Sequence, residues 1–308
     1  MKVKRLLKGD TIYFLCPSFK CQMESQRIKN LENIIHNLGY KIKYGKTCFL
    51  SNGYLAGTDG ERIKDLEDAF LDNEVKAIIC LKGGYGASRI VDKLNYQIIK
   101  KNPKIFMGFS DITVLLNAFY QKANLPTIHG EMGIFLGRND IDQDSIDDFK
   151  DLLEMPMKNR VLTHPSIKAL SEGVTQGVLV GGNLSLITNL IGTPYDIDFN
   201  NKIVFIEEVD EAPYRIDRMF AQLRLSGKLE QAKGFIFGHF TNCVSESQEH
   251  QQVTELISEY FIKLNKPIII NFPSGHEFPF LNLPIGLQVE LDANAKIIKI
   301  IEEYYEKD

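Results

Sequence analysis

The sequence predicts an α/β protein of two domains, with an N-terminal mostly parallel, doubly wound sheet and a C-terminal mixed-sheet α/β domain. In the first half, short apolar runs alternate with segments of helical spacing, a pattern typical of parallel strands covered by helices on both faces. Near the end of the chain, two strand-like segments follow one another across a short turn, which indicates antiparallel pairing.

The N-terminal elements follow from this spacing. Residues 11–16 form an apolar run that Pro17 ends, and residues 28–38 carry an apolar helical stripe that stops at Gly39, a residue type common at helix C-termini. The same reasoning predicts strands at 41–44, 75–81 and 105–109 and helices at 59–70 and 87–94.

The second half gives a helix at 146–153 and then a new series of elements. Its predicted strands are 176–180, 202–206, 234–237, 267–270, 287–291 and 296–301, and its predicted helices are 184–191, 214–225 and 253–264. The run that begins at Gly137 is polar and acidic. We therefore predict an N-terminal domain at 1–137, a linker at 138–173 and a C-terminal domain at 174–308.

Composition narrows the functional class. The chain of 308 residues has a net charge of −4 and no long basic run, and it lacks the apolar stretch of about 18 residues that a membrane helix needs. We therefore expect no nucleic-acid partner and no membrane partner. The basic N-terminus lacks the apolar core of a signal peptide, and the five cysteines form no CxxC pair. These features predict a cytoplasmic protein with reduced thiols.

The leading candidate for chemistry is Ser110. A predicted strand ends in Gly108-Phe109-Ser110, and a helix-like segment follows at once. Such a strand–turn–helix exposes a serine hydroxyl beside the free N–H groups of a helix start, as in the nucleophile turn of acyl-transfer hydrolases. The alternative is that Ser110 caps the helix, because serine is a favoured N-cap residue.

A glycine-rich turn, Lys82-Gly83-Gly84-Tyr85-Gly86, follows another predicted strand. Glycine permits positive φ and lets backbone N–H groups approach an anion closely. The turn could supply an oxyanion donor near Ser110, form a phosphate cradle or bind nothing. A nucleotide site is the weaker prediction, since the Lys-Ser/Thr ending of a P-loop is missing.

A serine nucleophile needs a base and an orienting acid. On chemistry alone, His276 and His239 are nearly equal candidates for the base. Glu207 and Glu208 end an apolar strand and are candidate acids, or else surface ion-pair partners of nearby arginines. The histidines are scattered and form no HExxH motif, so we expect no metal. The remaining histidines are His36, His129, His164 and His250.

Together these motifs resemble those of the LD-carboxypeptidases (muramoyltetrapeptide carboxypeptidases), a family of serine peptidases whose relatives include the microcin-immunity peptidases. The resemblance runs nearly end to end, and its specificity lies in the order and spacing of the segments. The matching segments are 9–12, 17–18, 55–59, 61–62, 65–66, 83–86, 108–113, 129–130, 181–184, 207–208, 213–218, 275–276 and 283–286.

The resemblance implies a catalytic triad of Ser110, Glu207 and His276 at the junction of two domains. It also implies an oxyanion hole made by the backbone N–H groups of Asp111 and Gly84. The implied reaction is hydrolysis of the bond between meso-diaminopimelate, or lysine, and the terminal D-alanine of a murein tetrapeptide. Members of the family act in cytoplasmic cell-wall recycling, usually as homodimers, and the resemblance implies neither metal nor cofactor.

Two positions depart from the family pattern. Lys82 stands where arginine is frequent, and Glu131 stands where proline follows the His-Gly pair; both could alter substrate fit. Arg89 and Lys82 flank the glycine turn and are candidate contacts for the substrate carboxylate, because cations pair well with carboxylates. The alternative is that both are solvated surface cations.

Two other functions stay open. The same triad could act on microcin-like aminoacyl-nucleotides or on other cytoplasmic peptides, although the chain has no Trp to form the aromatic platform with which microcin-type relatives hold a nucleotide. Alternatively, the protein could be a non-enzymatic sensor that binds muropeptides. The intact serine, glutamate and histidine positions argue against a sensor.

Overall fold

The computed structural model describes residues 1–244 and 252–306, and the chain divides into two compact units. The first unit consists of Met1–Met157, Pro279–Gly286 and Glu303–Asp308, and the second of Lys158–Phe278 and Leu287–Glu302. The first unit is built around a mostly parallel sheet and the second around a mixed sheet. The predicted two-domain α/β fold class is therefore confirmed.

Strands and helices alternate along most of the described chain. In chain order, the strands are β1 (Thr11–Leu15), β2 (Lys41–Tyr44), β3 (Val75–Cys80), β4 (Ile105–Gly108), β5 (Thr127–His129), β6 (Val161–Leu162), β7 (Lys168–Ser171), β8 (Val174–Asn183), β9 (Lys202–Val209), β10 (Gly234–Thr241), β11 (Ile268–Ile270), β12 (Leu283–Ile285), β13 (Gln288–Asp292) and β14 (Ile297–Ile300). The α-helices are α1 (Gln26–Asn37), α2 (Asp59–Leu71), α3 (Tyr96–Lys101), α4 (Thr113–Ala123), α5 (Gly133–Leu136), α6 (Gln143–Glu154), α7 (Leu184–Asn189), α8 (Pro213–Leu225), α9 (Lys228–Gln231) and α10 (Val253–Phe261). None of these helices has the length and apolar character needed to cross a membrane.

The sheet of the first unit has the strand order β12-β5-β4-β3-β1-β2. The five strands from β2 to β5 pair in parallel, and β12 pairs antiparallel to β5 at the edge. The chain order reverses between β1 and β3, and sheets of this kind bind ligands outside the carboxyl ends of the strands at such a reversal. The glycine turn leaves β3 at this edge of the sheet, and Ser110 follows the neighbouring strand β4.

The sheet of the second unit has the strand order β6-β14-β13-β8-β9-β10-β11-β7. Its central strands β8 to β11 run parallel, and the strands on either side are antiparallel. The predicted terminal hairpin is confirmed, since β13 and β14 pair antiparallel with Val289 opposite Ile300. The parallel pairing also sets Glu207 of β9 opposite Asn183 of β8.

The division of the chain differs from the predicted domain boundaries of 1–137, 138–173 and 174–308. Helix α6, in the predicted linker, belongs to the first unit, whereas β6 and β7 belong to the second. Residues Pro279–Gly286 return to the first unit because β12 hydrogen-bonds to β5, with Leu283 opposite His129. The N-terminal sheet is therefore completed by a strand from far along the sequence.

The predicted helix at 87–94 is wrong. The structure has only a 3₁₀ turn at Ala87–Arg89, followed by irregular turns. The N–H group of Ala87 is bound by the Asp111 carboxylate, and the Asn95 side chain accepts from the Gln97 N–H to start α3. The apolar spacing at Ile90 and Leu94 therefore reflects burial of turn residues.

Candidate active site

Ser110 lies on a strained turn at the carboxyl end of β4. It begins the 3₁₀ turn Ser110–Ile112 that leads into α4, and its φ is 62°, a backbone region that costs a non-glycine residue about 1–2 kcal/mol. A Cβ at Gly108 would lie 2.9 Å from Ile112 Cγ2, so the tight turn requires glycine there. Ile112, rather than Ser110, is the N-cap of α4, which disfavours the capping alternative.

The glycine turn packs against this serine. A Cβ added at Gly83 would lie 3.3 Å from the Ser110 Cβ, and one added at Gly84 would lie 2.3 Å from the Phe19 ring. Gly84 also has a φ of +105°, which L side chains rarely adopt. The turn therefore has the backbone freedom and the proximity to Ser110 that an oxyanion donor needs.

Two buried ionic side chains hydrogen-bond to the glycine turn and to the residues beside it. The Arg62 guanidinium donates to the carbonyls of Pro17 and Gly86 at 2.6 and 2.8 Å and pairs with Asp59. The Asp111 carboxylate accepts from the Ser18 hydroxyl and, at 2.8 Å, from the Ala87 N–H group. Burial raises the pKa of Asp111 even though these hydrogen bonds and the Arg62 charge oppose the shift.

The second unit brings His276 and Glu207 together. Glu207 is fully buried on β9, and its Oε2 lies 2.8 Å from His276 Nδ1. Burial by itself lowers the pKa of His276, but the charge of Glu207, its hydrogen bond and the charges of Glu208 and Asp210 outweigh it, so the pKa is raised overall. With Nδ1 held by the carboxylate, Nε2 is the nitrogen suited to exchange a proton with a nucleophile.

Gly275 allows the His276 ring to lie close to the Glu207 carboxylate. Its φ is +138°, and a Cβ there would lie 3.2 Å from Glu207 Oε2 and 3.0 Å from the Cβ of His239. His239, the other candidate base, is half-buried on β10 and its backbone N–H donates to Ser274. Burial lowers the pKa of His239. Because the hydrogen bond to Glu207 comes from His276, the geometry favours His276 as the base.

The other histidines have different surroundings. His129 is fully buried, with its ring stacked on Phe280 at a centroid distance of 5.8 Å. His36 is exposed on α1, and His164 hydrogen-bonds Ser166 at 2.7 Å. His250 lies outside the described residues.

Glu208 has a different environment from its neighbour Glu207. Its carboxylate accepts from Asn183 Nδ2 at 2.8 Å, from both the N–H and the hydroxyl of Ser185 at 2.8 and 2.7 Å, and from the Val209 N–H at 2.9 Å. Glu208 thereby ties the start of α7 to β9. The alternative of a surface ion pair with Arg215 is not favoured, since Arg215 pairs with Glu211 at 3.3 Å.

The two candidate substrate cations differ in their partners. Arg89 is exposed and pairs with Asp59 at 2.9 Å, and Lys93 shares the same carboxylate at 3.1 Å. Lys82 is half-buried at the start of the glycine turn. Within residues 1–244 and 252–306, the structure contains no group of three or more His, Cys, Asp or Glu side chains suited to hold a metal ion.

Sequence reasoning gave no role to Ser18, Arg62 or the Asp111 side chain, which support the turn. Their segments were among those matched to the family, and that was the available signal. A buried arginine cannot be recognised from its neighbours in sequence, because its partners at Pro17 and Gly86 lie 45 and 24 residues away.

Comparisons with known proteins identify the family of the chain. Residues 12–130 match the model of the LD-carboxypeptidase N-terminal domain, and residues 176–291 match that of the C-terminal domain. The chain is 37% identical over 297 residues to the probable murein peptide carboxypeptidase of Bacillus subtilis, which covers 96% of this chain and 92% of that protein.

Solved structures give the same picture. The muramoyltetrapeptide carboxypeptidase from Oxalobacter formigenes superposes with a TM-score of 0.84 at 26% identity, over 96% of this chain and 100% of that one. A structure of MccF in complex with glutamyl sulfamoyl guanosine has the same fold, with a TM-score of 0.91 at 23% identity over 99% of each chain.

Proposed function

Because this chain belongs to the LD-carboxypeptidase family of serine peptidases, we propose that it hydrolyses the bond before the terminal D-alanine of a murein tetrapeptide. The observation that carries the proposal is Ser110 at a φ of 62° between β4 and α4, because a hydrolytic serine of this type needs such a strained, accessible turn. The murein peptide enzymes among its relatives supply the substrate class.

In the proposed mechanism, His276 removes the proton of Ser110 as the hydroxyl oxygen attacks the carbonyl carbon of the L-centre. Glu207, 2.8 Å from His276 Nδ1, holds the imidazole in the tautomer that leaves Nε2 to act as base, and it stabilises the imidazolium that forms. The 2.8 Å pair within the second unit supports these two roles.

The negative charge that develops on the carbonyl oxygen is stabilised by the backbone N–H groups of Asp111 and Gly84, each worth roughly 3–4 kcal/mol in comparable sites. D-Alanine leaves with the proton from His276, and water then hydrolyses the acyl-enzyme with His276 again as base. The packing of Gly83, the residue directly before Gly84, against the Ser110 Cβ supports an oxyanion donor from this turn.

For the terminal carboxylate of the substrate we favour Lys82 over Arg89. Arg89 is held by Asp59, whereas Lys82 lies directly before the two glycines next to Ser110. A cation at this position would attract the carboxylate toward the nucleophile.

The family resemblance also supports a homodimer that works in cytoplasmic cell-wall recycling. Sedimentation velocity of the purified protein tests the oligomeric state: a single species of twice the chain mass is expected, and a monomer at all concentrations would contradict it. Accumulation of murein tetrapeptide in the cytosol of a deletion strain tests the recycling role.

The decisive experiment is incubation of the purified protein with a murein tetrapeptide and measurement of released D-alanine, with Ser110→Ala as the control. Release by the wild type alone is the expected result. Release by both proteins would reject Ser110 as the nucleophile. Release by neither, with both folded by circular dichroism, would reject murein tetrapeptide as the substrate.

The same preparation separates the alternatives. An aminoacyl-nucleotide substrate is assayed in parallel, because the MccF complex has the same fold. Cleavage of the nucleotide without cleavage of the tetrapeptide would assign the microcin-like activity. Binding of the tetrapeptide by calorimetry, without cleavage of either compound, would assign the sensor.

A further inference from the structure

Three aromatic side chains lie side by side next to the glycine turn. The Phe19 ring fills the space beside Gly84, where an added Cβ would lie 2.3 Å from it. The Tyr54 ring is edge-on to Phe19 at a centroid distance of 5.5 Å, and the Tyr85 ring is 6.1 Å from Tyr54 with an interplanar angle of 53°. We call Phe19, Tyr54 and Tyr85 the aromatic row. Because the same turn packs against Ser110, the row begins close to the proposed nucleophile.

The two tyrosines of the row are open to solvent. Their exposed fractions are 54% for Tyr54 and 44% for Tyr85, whereas Phe19 is half-buried. Within residues 1–244 and 252–306, neither tyrosine hydroxyl is hydrogen-bonded to another residue. A tyrosine ring combines apolar faces with a polar tip, and neighbouring exposed rings of this kind are typical of surfaces that bind a ligand.

The backbone that carries Tyr54 is fixed. Asn52 and Leu55 exchange two N–H···O bonds of 2.9 and 3.0 Å, and Gly53 has a φ of +63°, so the chain makes a two-residue turn with Tyr54 at its tip. The N–H group of Lys20 also donates to the Tyr54 carbonyl at 3.0 Å. The tyrosine ring is therefore presented by a turn that is bound on both sides.

The backbone at Tyr85 is fixed in a similar way. Tyr85 lies between Gly84 and Gly86, which have φ values of +105° and +141°, and the Gly86 carbonyl accepts from the buried Arg62 guanidinium at 2.8 Å. Phe19 follows β1 and Tyr85 follows β3, the two strands between which the chain order reverses. Sheets of this kind bind ligands at such a reversal, and a surface that is ordered in advance loses less entropy on binding.

The tilt between the two exposed rings distinguishes between classes of ligand. A planar nucleobase binds by stacking on aromatic faces, and it cannot stack on both Tyr54 and Tyr85 because their planes differ by 53°. A sugar ring is puckered, with C–H groups on its faces and hydroxyl groups around its rim. The C–H groups are attracted to the negative face of an aromatic ring, and the hydroxyl groups can hydrogen-bond to the tyrosine O–H groups. The tilted pair therefore fits a sugar.

We propose that Tyr54 and Tyr85 bind the amino sugar of a tetrapeptide that is still attached to N-acetylmuramic acid, so that the enzyme prefers the sugar-linked peptide to the free one. The identity of the sugar rests on the proposed function; the sugar-binding surface itself does not. Three residues separate this sugar from the bond before D-alanine and span about 10 Å when extended. The Tyr54 ring, 5.5 Å from the Phe19 ring that adjoins Gly84, is within that reach.

The test compares D-alanine release from N-acetylmuramoyl-tetrapeptide and from the free tetrapeptide. The ratio of the two kcat/KM values should be about tenfold in favour of the sugar-linked peptide, the effect of one good contact with an aromatic face. Tyr54→Ala and Tyr85→Ala should each bring this ratio close to one, whereas Tyr54→Phe keeps the ring and should keep most of the preference. Phe49→Ala is the matched control: Phe49 is 65% exposed in the same unit and should leave the ratio unchanged.

Saturation-transfer NMR with N-acetylmuramic acid alone measures sugar binding without catalysis. Transfer to the C–H protons of the sugar is expected with the wild type and should be lost in Tyr54→Ala and Tyr85→Ala. Adenosine monophosphate is the second probe, and its adenine protons should receive no transfer that depends on these two tyrosines.

Three results would overturn the proposal. Equal kcat/KM values for the two substrates in the wild type would remove the preference, and a ratio that both alanine variants leave unchanged would place the sugar elsewhere. Transfer to adenine but not to the sugar, lost in the same variants, would assign the tyrosines to a nucleobase. If neither substrate releases D-alanine, the proposed function is rejected, and the NMR measurement still decides whether the tyrosines bind the sugar.

Discussion

The serine turn of the first unit and the imidazole–carboxylate pair of the second hold the proposed catalytic groups by different means. Ser110 is held by its backbone, with a φ of 62° and a glycine two residues earlier that no larger side chain can replace. Glu207 and His276 are 69 residues apart and are held by a hydrogen bond between a carboxylate and an imidazole. The first arrangement should be sensitive to backbone changes, and the second to changes of charge.

The largest expected effect is at the serine turn. Ser110→Ala and Ser110→Gly should each lower kcat by about 10⁴-fold or more, because both remove the proposed nucleophile. Glycine accepts positive φ, so Ser110→Gly should unfold with a free energy about 1 kcal/mol higher than that of Ser110→Ala. D-alanine release and urea unfolding measure the two effects. Equal unfolding midpoints would show that the turn stores no backbone strain.

The imidazole–carboxylate pair of the second unit gives the next largest expected effect on activity. Glu207→Gln should lower kcat/KM by about 10³–10⁴-fold, because a neutral amide cannot hold the required imidazole tautomer or stabilise the imidazolium. Glu208→Gln is the matched control on the same strand. It should change kcat/KM by less than about tenfold but lower the unfolding free energy by about 1–3 kcal/mol, because its amide would face the donors of Asn183 and Ser185. Equal losses of activity would contradict the assignment of roles.

The pH profile sharpens this second prediction. His276 must be neutral to act as base, and its pKa is raised in the folded protein, so the acidic limb of kcat/KM should lie above the ordinary histidine pKa of about 6.5. In Glu207→Gln the charge and the charge-assisted hydrogen bond are lost, and the limb should move to lower pH. If the acidic limb of kcat/KM lies at the same pH in Glu207→Gln as in the wild type, the limb reports the titration of a group other than His276.

The glycine turn should be sensitive to substitutions that change its backbone conformation. Gly84→Ala places a methyl group against the Phe19 ring at a φ of +105°, and it should lower kcat by about 10²-fold if Gly84 supplies an oxyanion donor. Gly9→Ala is the matched control, with a φ of +92° and nothing within 4 Å. It should cost about 1 kcal/mol of stability without loss of kcat. Full activity of Gly84→Ala would remove Gly84 from the oxyanion hole.

A smaller effect is expected at the flanking cations. Lys82→Gln should raise KM by about tenfold with little change in kcat, because a carboxylate contact made equally in the ground state and the transition state affects binding alone. Arg89→Gln is the matched control, since Arg89 is already paired with Asp59. Steady-state kinetics on the tetrapeptide measure both. A rise in KM only for Arg89→Gln would assign the contact with the substrate carboxylate to Arg89 instead of Lys82.

The last prediction concerns stability rather than activity, at Glu131. This carboxyl is fully buried, and burial together with the Asp148 charge raises its pKa well above the usual range. The folded protein then keeps a proton that the unfolded chain loses above about pH 4.3, so the contribution of Glu131 to stability falls as pH rises from there. The advantage of Glu131→Gln in unfolding free energy should grow by up to about 1.4 kcal/mol per pH unit.

Urea unfolding of both proteins at several pH values between 5 and about 8 tests the Glu131 prediction. Asp144→Asn, at an exposed position on α6, is the control for a general charge effect. A difference between Glu131→Gln and wild type that is constant with pH would contradict a buried, protonated carboxyl.

The two regions also differ in how well the sequence predicts them. The turn at Ser110 is local, since β4, the turn and α4 follow one another directly in the sequence. Such a strand–turn–helix pattern can be predicted from the residues alone. The choice between His276 and His239 could not be predicted in this way, because it depends on which ring reaches a carboxylate on another strand. The family resemblance, rather than local pattern, made that choice.

The errors in the predicted fold have the same origin. The helix at 87–94 followed from apolar spacing that turn residues also produce when they are buried. Short elements such as β6 and β12 have two or three residues, too few for a periodic signal. The return of Pro279–Gly286 to the first unit depends on pairing with β5, which no local pattern encodes.

That returning strand has a consequence for the nascent chain. On the ribosome, β5 emerges with one edge unpaired, and its partner β12 is synthesised roughly 150 residues later, which at about 5–20 residues per second means a delay of about 8–30 s. During this interval the N-terminal sheet presents open backbone donors and acceptors to any other extended chain. Chaperone dependence should therefore be greatest just before Leu283 is made, and slowing translation between β5 and β12 should increase aggregation.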